Sequence, residues 1–204
     1  MNIGDHIQHS LNSADRGELD QALLSACIAV DGTAKKEYPH IRHSGDRYRS
    51  FIRDHIDVIE MMVGGLNLEE TLFPFRTSKG KFGMTFGEVI YEKFRCSLAH
   101  GDEYPDGFGV AVQIAPGHQK FSIDLVGLSM TVPQSTIYAL GLVCVLAPVN
   151  ADQSLGSTAY RYSDPVNVFV VDRWWGQLDC ARKIMDLKSR IRVKMDFGNV
   201  WPRE

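Results

Sequence analysis

The chain has 204 residues, 44% of them hydrophobic and 23% charged, with a formal net charge of −3. That is the composition of a globular protein with a real core. It is not that of a membrane span, because the longest apolar run, Ile137 to Val149, is too short and Pro148 closes it. The acidic balance excludes the global basic footprint of a sequence-independent nucleic-acid binder, so any contact with RNA must come from a local patch.

Residues 1–14 carry His6 and His9 among polar neighbours and read as a frayed terminus. They lack the charged-then-apolar pattern of a secretory signal, so the expected compartment is cytoplasmic. Asp15 reads as an N-cap with Glu18 three residues on. Leu19, Leu23, Cys27, Val30 and Ala34 then stripe a first long helix, which Pro39 ends. His40 and His43 repeat an H-x-x-H spacing, but no third or fourth ligand stands near them, and neither metal nor cofactor is expected. Ser44 opens a second helix striped by Tyr48, Phe51, Ile52, Ile56, Ile59 and Met62, and Gly64-Gly65 stops it. His55 falls on the apolar face of this helix and reads as a packed core residue. Arg42, Arg47, Arg49 and Arg53 gather in and before it as the best local phosphate-binding patch.

Leu66 to Leu72 reads as a short helix broken by Pro74. The basic loop Arg76-Thr77-Ser78-Lys79-Gly80-Lys81 follows, without the strand or the G-x-x-x-x-G-K-[ST] run that a P-loop needs. Thr85-Phe86-Gly87-Glu88 fits a capping box. It opens a helix whose apolar stripe is Phe86, Ile90, Phe94 and Leu98, ended by Gly101 and Pro105. Alternating segments at Val110–Ile114, Phe121–Leu125 and Leu128–Val132 read as a β-meander, with a turn at Pro116-Gly117. Pro133 starts a helix over 134–147 that is apolar on nearly all sides and therefore central. Ala151 to Thr158 reads as a mobile loop, Val166–Val171 as a buried strand, Arg173–Arg190 as a last helix, and Arg190 to Lys194 as a terminal strand. Trp174 and Trp175 suit base stacking, but a Trp near a helix start is more often a hydrophobic anchor.

The expected fold is therefore one mainly α domain with an added β-meander (α+β). Its helical core spans 15–102 and 133–149, a small antiparallel sheet spans 107–132, and a strand-helix-strand piece spans 163–204. The four cysteines, Cys27, Cys96, Cys144 and Cys180, form neither a disulfide framework nor a zinc pair.

The helix opened by Thr85 carries the chemistry. Arg95 lies about 100° round from Phe94 and His100 about 160° from Leu98, so both miss the apolar stripe. They stand roughly 7.5 Å apart along the axis on a face the core does not need. A forked, permanent cation suits phosphate oxygens, and an imidazole gives or takes a proton near neutrality. Cys96 precedes His100 by one turn (i, i+4), where imidazole can activate a thiolate. Its place near a helix C-terminus, whose dipole raises a thiol pKa, favours a small packing residue instead.

Tyr91-x-x-Phe94-Arg95-x-x-Leu98-Ala99-His100-Gly101 resembles the R-x4-H signature of HEPN domains, small four-helix units that include RNA-cleaving toxins. Cys96 departs from the Asn, Asp or His usual after the Arg. The resemblance implies an antiparallel helical bundle, a two-fold homodimer in which two such helices meet, and metal-independent endoribonuclease activity with RNA as partner. It implies phosphate binding by Arg95 and general acid–base work by His100. Arg49, Arg53, Cys96 and Tyr104 are expected at the substrate. It further implies a toxin or defence role, with an antitoxin as a second protein partner. The same resemblance is compatible with a non-catalytic module that binds RNA, a nucleotide or a protein in the dimer groove.

Overall fold

The computed structural model describes residues 2–64, 66–112, 121–157, 159–163, 168–185 and 192–197. It has an α+β architecture in which helices supply the core and three small sheets decorate it. Among the described residues no helix is long and apolar enough to cross a membrane.

The N-terminal stretch is a helix rather than a frayed end. In α1 (Ile3–Asp15), Asn2 accepts the Asp5 N–H and the Asp5 carboxylate accepts the Asn2 N–H, a reciprocal cap. Ile3, Ile7, Leu11 and Ala14 recur at helical spacing and are buried. The two histidines hid that stripe. Asp15 therefore ends a helix instead of capping one, and α2 (Leu19–Glu37) starts after Glu18.

Helix α2 packs on α1, on α3 (Ser44–Asp54) and on α7 (Ser135–Leu146). The predicted second helix is two, because the chain breaks at His55 (φ −119°) before α4 (Ile56–Val63). His55 is only 3% exposed. Its ring stacks on Phe51, and Nδ1 lies 2.9 Å from the Phe51 carbonyl oxygen, so it belongs to the core as its apolar face implies. At the centre, α7 buries 11 of its 12 residues, including Leu140, Leu142 and Val143.

The expected helix at 66–72 is absent. Thr71 bonds back to Asn67, and the chain then enters a hairpin of β1 (Phe73–Arg76) and β2 (Phe82–Met84). Pro74 fits because the pairing is irregular between Phe73 and Arg76, which spares a ladder bond. The sheet of β3 (Phe108–Ala111), β4 (Ser122–Asp124) and β5 (Ser129–Pro133) has the order β3-β5-β4, with β3 parallel to β5 and β4 antiparallel. This corrects the antiparallel meander, since β5 inserts between its two predecessors. The predicted strand end and turn at 113–120 lie outside the described residues. Pro133 closes β5 rather than opening α7.

Residues 154–157 are tied down by Asp172. Its carboxylate accepts the backbone N–H of Leu155 and Ser157 and the Ser154 hydroxyl. A hairpin of β6 (Arg161–Ser163) and β7 (Val168–Val170) precedes two helices, α8 (Val171–Trp174) and α9 (Leu178–Met185). Gly176 turns between them at φ +74°, so the single last helix is also corrected. Trp175 is buried and donates its indole N–H to Asp172, while Trp174 packs edge-on against Phe169. Both anchor the fold. The predicted helix end and strand start at 186–191 lie outside the described residues, and Val193 bridges in parallel to Leu66.

Candidate functional site

Thr85 caps the central helix as its sequence implies. Its hydroxyl accepts the Glu88 N–H, and the Glu88 carboxylate accepts the Thr85 N–H at 2.7 Å. The helix then runs as α5 (Phe86–Val89), a π segment (Ile90–Arg95) and α6 (Cys96–His100). Cys96 N–H donates to the Tyr91 carbonyl five residues back. A strict four-residue stripe drifts about 40° per repeat on an ideal α-helix, and the wider π turn takes up that drift. Ile90 and Phe94 consequently both reach the core. Such π turns recur at functional sites, and this one ends on Arg95.

The Arg95 guanidinium is held from two sides. Nε donates to Asp31 Oδ2 at 2.8 Å, and Nη2 lies 2.7 Å from the same oxygen, with the two side chains 23% and 20% exposed. The guanidinium carbon also sits 5.4 Å from the centre of the Tyr91 ring, one turn back. Burial works most strongly against the Arg95 charge, but the hydrogen bond and the charge of Asp31, with smaller help from Tyr91 and Cys96, together outweigh it and raise the pKa. On Asp31 the balance is reversed: burial raises its carboxyl above the ordinary value despite the opposing pull of Arg95. Nη1 has no acceptor among the described residues.

The arginine patch divides. Arg49, on α3, lies over the same Tyr91 ring at 5.5 Å and pairs with Asp46. Gly45 lets that ring approach, for a Cβ there would meet Tyr91 at 3.0 Å. Arg53 does not join the site: it is 70% exposed and paired with Asp54 at 2.7 Å. Together with Arg49 it rims a separate cleft of about 320 Å³ floored by Ile52, Ile56, Leu68 and Phe86.

Helix α6 buries none of its residues. Cys96 is half-buried beside Arg95, and His100 is exposed at the last turn, before Gly101 at φ +77°. Beyond it opens a cleft of about 420 Å³ whose wall includes Asp20, Asp102, Glu103, Asp106 and Tyr104. The Tyr104 ring packs edge-on against Phe94. Burial raises its phenol pKa, and so does Asp20, which is close but not in hydrogen-bonding geometry. The helix end therefore has an arginine flank, with Arg49 and Arg95 both over Tyr91 and each ion-paired, and an acidic one beyond His100.

Two residues of this site received no role from the sequence pattern. Tyr91 was legible, since it stands one turn before Arg95 at a spacing that brings side chains together. Asp31 carried no local signal: it lies 64 residues from Arg95 and meets it only through helix packing. Among the described residues no group of three or more His, Cys, Asp or Glu side chains is placed to hold a metal ion.

Residues 2–201 match the model of the Rv1289 family, and the chain belongs to that family. It is 31% identical to the uncharacterized protein Rv1289 of Mycobacterium tuberculosis over 206 aligned positions, covering 98% of this chain and 96% of the relative. The uncharacterized protein Mb1320 of Mycobacterium bovis matches with the same identity and coverage. No solved structure matches the chain.

Proposed function

We propose that this member of the Rv1289 family is a metal-independent endoribonuclease of the HEPN type. The observation that carries the proposal is the orientation of Arg95. It is fixed by Asp31 and Tyr91 on a helix that continues, without burying another side chain, to the exposed His100. RNA supplies its own nucleophile, the 2′-OH, beside each phosphodiester. A base removes that proton, the oxygen attacks phosphorus, and an acid protonates the departing 5′-oxygen. The products are a 2′,3′-cyclic phosphate and a 5′-hydroxyl.

In this reading Arg95 Nη1 binds a phosphate oxygen and offsets the charge that develops in the transition state. His100 transfers the proton. One helix supplies one imidazole, so the second comes from another copy of the chain docked across the same face. Arg49 adds positive charge at the Tyr91 end.

The acidic cleft beyond His100 favours a second reading, since carboxylates repel an RNA backbone and attract cations. There the chain is a HEPN-like module without catalysis whose cleft takes a basic segment of a protein partner. Labelled RNA incubated in excess EDTA separates the two. Cleavage by the native protein to cyclic phosphate ends, lost in the Arg95→Ala/His100→Ala variant of matched fold, supports the ribonuclease. Equal cleavage by both proteins removes Arg95 and His100 from the reaction, and no cleavage by either leaves the binding module.

A further inference from the structure

The hairpin of β1 and β2 brings unpaired positive charge to the same helix. Its tip is closed: Thr77 N–H donates to the Lys81 carbonyl at 2.8 Å, and Gly80 N–H to the Thr77 carbonyl at 2.9 Å. Gly80 takes φ +83°, which the turn requires. Thr77 is buried and its hydroxyl accepts the Lys81 N–H, so the turn is built rather than loose.

The tip is also docked. Ser78 N–H donates to Glu92 Oε2 at 2.6 Å, and Glu92 precedes Arg95 by three residues in the π segment. Arg76 lies over the Phe82 ring at 5.3 Å and donates to the Gly80 carbonyl. Arg76, Lys79 and Lys81 are exposed, and Lys93 follows Glu92. Among the described residues none of these four cations is ion-paired, whereas Arg49, Arg53, Arg95 and Arg182 each have a carboxylate. Residues 76–93 thus carry four cations and two carboxylates, Glu88 and Glu92, in a chain whose net charge is −3. Folding does not call for Lys79 and Lys81, since exposed, unpaired lysines contribute little packing or pairing energy.

We propose that this hairpin tip, with Lys93, is a binding surface for the backbone of single-stranded RNA and delivers phosphates to Arg95. The inference deepens the ribonuclease reading and rests on it for the direction of the strand. A row of cations that tracks the backbone is how single strands are held without regard to sequence. A single strand is also the form free to turn its 2′-OH in line with the phosphorus.

The test is binding of a labelled 2′-O-methyl oligoribonucleotide, which lacks the nucleophile, across a range of salt concentrations. Compared with the native protein, Lys79→Ala/Lys81→Ala/Lys93→Ala is expected to lose about 2 from the slope of log affinity against log salt, at about 0.7 per phosphate contact. Affinity at low salt should fall at least tenfold, and the triple Lys→Arg variant should keep both. Equal thermal midpoints serve as the check on folding. Native-like slope and affinity in the alanine variant overturn the proposal, as does a native protein that does not bind the strand. Lysine-dependent binding without cleavage of unmodified RNA keeps this surface and removes the ribonuclease. Cleavage with a KM indifferent to the lysines does the reverse.

Discussion

Helix α7 and the helix ending at His100 use their side chains in opposite ways. The first is apolar on every side and packs against α1, α2, α4, α8 and α9. Even its polar residues Ser135 and Thr136 are buried. The second commits Phe86, Val89, Ile90 and Phe94 to the core and then runs outward through α6, where nothing is buried. Substitution in α7 is constrained by packing, whereas from Cys96 to His100 packing constrains chiefly Leu98, which is half-buried against the core. A charged and titratable pair placed there, with one member tied to a carboxylate from α2, is not explained by the needs of the fold.

The comparison predicts that the two helices fail in different observables. The largest expected effect is His100→Ala, which should lower metal-free RNA cleavage by about 10²–10⁴-fold, the range of a proton-transfer group. Its unfolding free energy should stay within about 0.5 kcal/mol of native, as for other exposed positions. A variant that cleaves normally, or that loses stability with its activity, breaks the contrast. Leu140→Ala in α7 should behave in the opposite manner. Removing a fully buried leucine side chain should cost about 2–5 kcal/mol, read from a urea midpoint. Cleavage per folded molecule should remain native.

Asp31→Asn sharpens the boundary between the two regions, because Asp31 belongs to the core helix α2 and holds the outer Arg95. It keeps the shape and gives up the charge-assisted bond but also the burial cost of the charge, so the net stability loss should stay below about 1 kcal/mol. Cleavage should fall roughly tenfold, more than that stability loss explains, as Arg95 loses its fixed aim. Faster cleavage instead would identify Asp31 as a competitor for the guanidinium.

What the sequence disclosed follows the range of the interactions involved. The Thr85/Glu88 cap, the stripe from Phe86 to Phe94, the stop at Gly101 and the all-round apolarity of α7 are local, and each was legible. His55 was likewise placed correctly by its neighbours. The misses had two causes. Ile3, Ile7 and Leu11 were masked by interspersed histidines, and Pro74 suggested a helix break where it sits in an irregular strand. Others were non-local: the insertion of β5 between β3 and β4, and the capture of Arg95 by Asp31, depend on partners far along the chain. Arg49 and Arg53 look equivalent as letters one turn apart, yet only Arg49 reaches Tyr91, because helix packing decides between them.

The smallest effect concerns acid, and it sets the Asp31 site against the loop held by Asp172. Burial would raise the Asp172 pKa, but the N–H groups of Leu155 and Ser157, with Trp175 and Ser154, outweigh it and lower it. A lowered carboxyl stabilises fully above the ordinary aspartate value, about 4, and loses that contribution as pH falls through its folded pKa. Asp31, raised by burial, has the other sign: its charged form burdens the fold at neutral pH, and protonation relieves that burden as pH falls. Urea midpoints measured between roughly pH 3 and 6 should therefore decline less steeply with acid in Asp172→Asn than in native protein. In Asp31→Asn they should decline slightly more steeply, since the relief is gone. If both variants shift the acid limb in one direction, the carboxylates do not hold the opposed roles that the geometry gives them.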